Sequence, residues 1–412
     1  MEQGYKQSPL GPIPENWEVR KLGEVCAFLR TNTLSRNQLN EVNGDIHNIH
    51  YGDVLVKYPS IIDVQIQSIP FINSEDYKES MIDFIEDGDI VLADTAEDET
   101  VGKACEIANI GSEKILSGLH TMLIRPQKGL FFPCFLGYQV NSVSYRKQLQ
   151  ALIQGIKVCS LGKQAIANTY FAVPPLPEQQ RIVSVLSLWD TAISKQTALI
   201  EKLTLRKRGL MQQLLTGKKR LKGFEGEWKR IKAGEIFKSI SVKGNGSEVL
   251  LSATQEHGVI PRDQLEGRVT MPTGDTNSFK LVEVGDFVIS LRSFQGGLEY
   301  SEHRGIVSPA YTVLKPIVEI DKTFYRYYFK SAEFIGHLAI AVIGIRDGKQ
   351  ISYDDFCFVK IPYPNVEEQK AISSILLQVD KEIEIQKQKL AAMQEQKRGL
   401  MQVLLTGKKR II

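Results

Sequence analysis

What this chain has little of narrows its class before any motif is read. No stretch approaches the ~18 consecutive apolar residues that a membrane span needs, so a membrane protein is not expected. The opening residues, MEQGYKQSPLGPIPENW, contain no apolar run of the secretory kind, and a cytoplasmic location is expected. Cysteines are few, odd in number and scattered (Cys26, Cys105, Cys134, Cys159, Cys357), which argues against a disulfide framework and for reduced thiols. Net charge is only +3, too small to imply nucleic-acid binding by itself. With 412 residues, 42% hydrophobic and 24% charged, the chain has room for two or three ordinary globular domains.

Catalytic signatures are also missing. Residues 344–349 (GIRDGK) and 155–163 both miss the P-loop spacing and its Ser/Thr. There is no [DNS]-P-P-[FYW] motif of amino-methyltransferases and no GxGxxG. His47 and His50 have no Cys or carboxylate at ligand spacing and read as loop histidines. The acidic triplet Glu97, Asp98 and Glu99 reads as a solvated loop. No catalytic residue and no metal site are assigned.

What is present is a repeat. KRGLMQQLLTGKKR begins at Lys207 and KRGLMQVLLTGKKR at Lys397, matching at thirteen of fourteen positions with an offset of 397 − 207 = 190. The same offset pairs Glu178-Gln179 with Glu368-Gln369, and Asp190 with Asp380. Further upstream, Trp17 pairs with Trp228 and Gly23-Glu24 with Gly234-Glu235, at an offset of 211. The second globular part is therefore 211 − 190 = 21 residues shorter. EDGDIVL at Glu86 resembles EVGDFVI at Glu283, but the globular parts otherwise share little.

Each copy ends in a heptad seam. The first runs Ile182, Leu186, Trp189, Ile193, Gln196, Ile200, Leu203, Lys207, Leu210, Leu214. The second runs Ile372, Leu376, Val379, Ile383, Gln386, Leu390, Met393, Lys397, Leu400, Leu404. The alternating spacing of four and three is that of a coiled coil. Both helices follow proline-bearing segments (VPPLPEQQ, IPYPNVEEQ) and end at TGKK, with Gly217 and Gly407 as candidate C′ residues. Gly209 and Gly399 fall inside the helices at about 1 kcal/mol each, which suggests a close backbone approach or a partner surface, with a tolerated weak spot as the alternative. For the seams to bury each other the helices must run antiparallel. The expected architecture is two globular domains at the ends of a rod roughly 50 Å long, related by a pseudo-two-fold axis.

The globular parts read as mixed α/β (α+β) with short strands at IVLAD (Ile90), HTMLIRP (His120), DFVISL (Asp286) and AYTVLKP (Ala310). One helix is expected from Phe135 (FLGYQVNSVSYRKQLQAL) and one from Lys322 (KTFYRYYFKSAEFIGHLAIAV). The expected divisions are residues 1–172 for the first domain, 173–218 for the central helix, 219–361 for the second domain and 362–412 for the C-terminal helix. Charge is uneven: residues 79–113 are acidic, while 202–222 and 397–410 are basic. A charge run by itself describes only a solvated face.

Loops that mix cationic, amide and hydroxyl side chains can hold phosphates and read base edges. The first domain offers Arg30, Thr31, Asn32, Thr33, Arg36, Asn37, Tyr51, Lys57 and Tyr58. The second offers Arg262, Arg268, Arg292, Ser293, Gln295, Arg304, Arg346 and Lys349. These are chemical candidates for contacts with double-stranded DNA. A coiled-coil scaffold with protein-binding domains is the alternative that the pattern leaves open.

Several of these segments together, GPIPENWEVRKLGEV, PPLPEQQRI before a long helix, NIHYGDVLVKYP, DIVLADTAEDETVGKA and the twofold KRGLMQ-LLTGKKR, resemble the specificity subunits of Type I restriction-modification systems along essentially the whole chain. The resemblance implies two target-recognition domains, each reading one half of a bipartite asymmetric DNA site, with the helices setting the spacer. It implies two methyltransferase subunits and two restriction-translocation subunits as partners. S-adenosylmethionine, ATP and Mg2+ would sit on those partners and no cofactor on this chain. Recognition domains vary within such a family, so no base-contacting residue is transferred.

Overall fold

The computed structural model describes residues 4–77, 83–155, 157–265, 276–291, 293–341 and 351–411. Its contacts divide the chain into two units: residues 1–196 with 389–412, and residues 197–388. Each unit therefore combines one globular domain with the N-terminal part of one long helix and the C-terminal part of the other. The strand Tyr170–Val173 precedes the first long helix, Leu176–Leu214, and Lys360–Tyr363 precedes the second, Val366–Leu404.

In the first unit a five-stranded sheet has the order Cys26–Leu29, Thr121–Pro126, Ile90–Ala93, Ala104–Ala108, Ile61–Asp63, antiparallel except for the last pair. Ile90–Ala93 is fully buried, which explains its unbroken apolar run. A four-stranded sheet, Ile115–Ser117, His47–Ile49, Phe71–Ile72, Leu39–Asn40, packs beside it. Glu18–Lys21 pairs antiparallel with Tyr170–Val173, so entry and exit of the domain meet at the foot of the helix.

The second unit repeats this plan in reduced form. Its main sheet has the order Phe237–Ile240, Thr312–Pro316, Phe287–Ile289, Glu299–Tyr300, all antiparallel. Lys229–Lys232 pairs with Lys360–Tyr363, the counterpart of the first unit's foot. The core is aromatic, with Phe237 contacting Phe287, Tyr325, Phe329 and Phe356 at ring distances of 5.4–6.2 Å. Aromatic pairs contribute beyond their buried area, which suits a smaller domain.

The repeated Gly-Glu pair has a packing reason in both units. A Cβ on Gly23 would meet the Ala167 Cβ at 2.9 Å, and one on Gly234 the Cys357 Sγ at 2.9 Å. Glu24 and Glu235 turn back to accept from the backbone N–H of Lys21 and Lys232, each at 3.3 Å. Gly217 and Gly407 stop the long helices at φ +74° and +71°, conformations that side chains disfavour.

Three expectations are corrected. The segment from Phe135 is not one helix but two, Phe135–Val140 and Val143–Gln150. Ser142 caps the second by accepting from the Tyr145 N–H, while Asn141 turns its side chain onto Ala104. The segment from Lys322 likewise splits into Lys322–Tyr328 and Ala332–Ala341, with the Ser331 hydroxyl accepting from the Phe334 N–H. The acidic run is also not a plain solvated face: Asp89 and Glu106 are buried. Asp89 takes two bonds from the Arg125 guanidinium, at 2.8 and 2.7 Å. Glu106 accepts from the backbone N–H of Cys134 and Gly137. Its pKa is pushed up to about 7 because burial outweighs those donors.

All five cysteines are free thiols. Burial pushes Cys26, Cys105 and Cys134 up to about 12, which suits packing rather than reactivity. Among the described residues no helix is long and apolar enough to cross a membrane.

Candidate nucleic-acid interface

Two polar clusters, each present once per unit, hold the helices to the globular domains. In the first unit the indole N–H of Trp17 donates to Glu178 at 3.0 Å, and the Arg410 guanidinium donates to both oxygens of the same carboxylate, at 3.0 and 2.7 Å. In the second, Trp228 donates to Glu368 at 2.9 Å and Arg220 to both its oxygens at 2.7 Å. The last Arg of each TGKKR thus locks the N-terminus of the opposite long helix. A carboxylate there also benefits from the helix dipole. Gln179 accepts from the Phe132 N–H and donates to Pro174 and Leu130, and Gln369 accepts from the Asp321 N–H and donates to Pro364. The repeated Glu-Gln pair is therefore a docking device between domain and helix.

The second cluster explains a lysine in each apolar seam. Asp190 takes the Tyr138 hydroxyl at 2.7 Å and the Lys397 ammonium at 2.5 Å. Asp380 takes Tyr327 at 2.6 Å and Lys207 at 2.5 Å. Each lysine also lies over the ring of its tyrosine, at 5.1 and 5.3 Å. These pairs fix the direction of the helices within each unit as antiparallel. In the first unit Ile182 and Leu186 share a core with Leu404, against which Leu400 packs. In the second Leu203 packs with Val379 and Ile383, and Leu214 with Ile372 and Leu376. Trp189, Ile193, Ile200, Leu210, Leu390 and Met393 are half-buried. Gly209 and Gly399 have open space where a Cβ would stand, so among the described residues no close backbone approach accounts for them.

On this frame the candidate DNA residues of the first domain take different places. Arg36 makes a bidentate pair with Asp53, at 2.6 and 2.8 Å, on the short helix Tyr51–Val56. Tyr51 opens that helix, half-buried, its ring 4.6 Å from His50 and 5.3 Å, edge-on, from His120. Lys57 is exposed at its end, 5.3 Å over the Tyr58 ring. Arg36, Tyr51, Lys57 and Tyr58 are thus gathered around one short helix. Arg30 is bonded to Asp83 but two-thirds exposed, and Thr31 and Thr33 are exposed beside it. Asn32 and Tyr58 are buried: Asn32 donates to Asn48 at 2.7 Å and Tyr58 to the Ser68 carbonyl at 3.1 Å. Both shape the loops rather than present groups to a ligand.

In the second domain Arg304 bridges Glu248 and Glu283, at 3.0 and 3.2 Å. Arg262 is half-buried, and among the described residues its Nε finds no hydrogen-bond partner. Ser293 is buried and accepts from the Ser290 N–H. Gln295 lies in the short helix Ser293–Gly296. Arg268, Arg292, Arg346 and Lys349 lie outside the described residues.

Sequence reasoning read His50 as a loop histidine and did not single out His120. His50 caps the Tyr51 helix by accepting from the Gly52 N–H, and burial pulls its pKa down, which favours the neutral ring that this acceptor role needs. His120 adopts a left-handed φ of 54°, which aims its ring at Tyr51. No spacing rule connects positions 50 and 120.

A model of the Type I restriction modification DNA specificity domain matches residues 14–205 and again 225–395. This chain belongs to that family. The first match takes in Trp17, Tyr138, Glu178 and Asp190, and the second takes in their counterparts Trp228, Tyr327, Glu368 and Asp380. Two relatives from Methanocaldococcus jannaschii, the specificity subunits of the type I restriction enzymes MjaX (a provisional designation) and MjaVIII, are 26% and 25% identical to it. Each alignment covers all of this chain and 97% of the relative. Among solved structures, the S subunit of a Type I restriction-modification system from M. genitalium has a TM-score of 0.51 at 15% identity, covering 95% of this chain and 96% of that one. A chain from a study of complex assembly and conformational transition in the type I R-M system has a TM-score of 0.59 at 19% identity, covering 96% and 99%. These likenesses support the same fold for this family member.

Proposed function

We propose that this chain is the DNA-specificity subunit of a Type I restriction-modification enzyme. Each globular domain reads one half of a bipartite, asymmetric site on double-stranded DNA, and the paired long helices set the spacer between the halves. The observation that carries this reading is the contrast within the repeat. The frame clusters Trp–Glu–Arg and Tyr–Asp–Lys recur residue for residue, while the loops mounted on them differ in both length and chemistry. Equivalent frames suit two copies of one partner, and unlike loops suit two different half-sites.

In this reading the chain itself performs no chemistry. Two methyltransferase subunits dock on the helices and carry S-adenosylmethionine, and two restriction-translocation subunits bring ATP and Mg2+. The cytoplasm is where such an assembly meets DNA.

Methylome sequencing of a host that expresses this chain with its partner methyltransferase tests the proposal. The expected result is one asymmetric bipartite motif with a fixed gap. Absence of a motif, together with no salt-dependent DNA binding, would favour a protein scaffold instead.

A further inference from the structure

The first strand of each main sheet runs into a loop at the same sheet edge: Cys26–Leu29 into residues 30–35, and Phe237–Ile240 into residues 241–247. In the first domain the cations near this edge are neutralised, Arg30 by Asp83 and Arg36 by Asp53. The second domain differs. Its loop is strapped to the strand Lys280–Val282 and the turn before it. Leu281 donates its N–H to the Val242 carbonyl at 2.8 Å, Gly244 to Asn277 at 2.9 Å, and the Thr276 hydroxyl to Gly246 at 2.9 Å. These bonds hold Lys243, exposed, beside Lys280, half-buried.

Lys280 donates to the Tyr311 carbonyl at 2.6 Å, and among the described residues neither lysine has an ion-pair partner. Among the described residues, Glu248, farther along the loop, pairs with Arg304, and Glu283, just after the strand, pairs with Arg304 and Lys315. Burial, and then the charge of Lys243, hold the Lys280 pKa below its ordinary value. Two like charges fixed side by side without a counter-charge cost stability, and an anion between them removes that cost.

We propose that Lys243 and Lys280 form a cradle for a backbone phosphate of DNA, placing the second recognition domain on its half-site. This rests on the DNA-specificity reading above. A backbone contact positions the domain without selecting bases, so its loss weakens binding without altering the sequence read.

The test uses the full chain assembled with its methyltransferase partner, and measures DNA affinity against chloride concentration. Each lost phosphate contact should make the slope of log affinity on log salt shallower by about 0.9. Lys243→Gln and Lys280→Gln are each expected to flatten the slope, with the methylated motif unchanged. Lys280→Arg should keep the wild-type slope. Lys243→Gln changes an exposed side chain and keeps the test open if Lys280→Gln fails to fold. An unaltered slope in Lys243→Gln and Lys280→Gln overturns the proposal, as does a changed base preference. So does a site that takes only free inorganic phosphate, seen as phosphate raising the melting temperature of the wild type but not of the variants while the DNA slope stays the same. If the wild-type assembly shows no salt-dependent DNA binding, the specificity reading falls with it.

Discussion

At the scale of single residues, each of the two frame carboxylates joins the start of a long helix to its domain and to the segment that follows the other long helix. Glu178 and Glu368 are almost fully buried, and each is shared by an arginine and an indole. Glu178→Gln keeps an acceptor for Trp17 but leaves the Arg410 charge unpaired. The expected loss is about 2–4 kcal/mol of stability, read from urea unfolding, with part of it restored when Arg410 is also changed to Gln. An unchanged midpoint in the single variant would remove the clamp from the account. Tyr138→Phe removes one hydroxyl donor from Asp190 and should cost about 1 kcal/mol.

Glu106 gives a pH dependence. It holds its proton to about pH 7 in the folded chain, against an ordinary value of 4.5. Between those values the folded state binds more protons than the unfolded one. This residue's contribution therefore falls as pH rises from 4.5 to 7 and is level above that. Wild type should lose stability relative to Glu106→Gln across that window, in unfolding curves taken at pH 5, 6 and 8. A constant difference would contradict it. Glu178 and Arg410 were visible in the sequence only as members of repeated strings. What joins them is a contact across 232 positions, which no local pattern encodes.

At the scale of elements, the long helices were the most legible part of the chain. A seam with spacing four and three over two 39-residue helices is a strong periodic signal, and every apolar seam residue is buried or half-buried. The shorter helices were less legible. Residues 135–150 look like one continuous helix because the capping roles of Asn141 and Ser142 depend on neighbours elsewhere in the fold, such as Ala104. If the helices set the spacer, removing residues 196–202 and the equivalent 386–392 preserves the seam phase. The helices shorten by about 10 Å, and the gap in the methylated motif should shrink by roughly three base pairs with both half-sites retained. Altered half-site bases with an unaltered gap would defeat the ruler.

At the scale of the whole molecule, the repeat makes the recognition domains interchangeable parts. Both sit between equivalent feet, Glu18–Lys21 with Tyr170–Val173 and Lys229–Lys232 with Lys360–Tyr363. Replacing residues 237–358 by a second copy of 26–168 should leave the first half-site unchanged and turn the second into its inverted repeat, as methylome mapping would read it.

The sequence by itself determined the duplication, the two long helices and the mixed α/β class, because each is written in local spacing or in literal repetition. Tertiary structure alone decided which charges are spent inside the fold and which remain for a ligand. Arg36, Asn32 and Lys243 look alike as loop residues, yet Asp53 neutralises the first, Asn48 ties down the second, and the third is held beside another lysine. A side chain's availability depends on what the fold brings against it, and those partners come from distant positions in the chain.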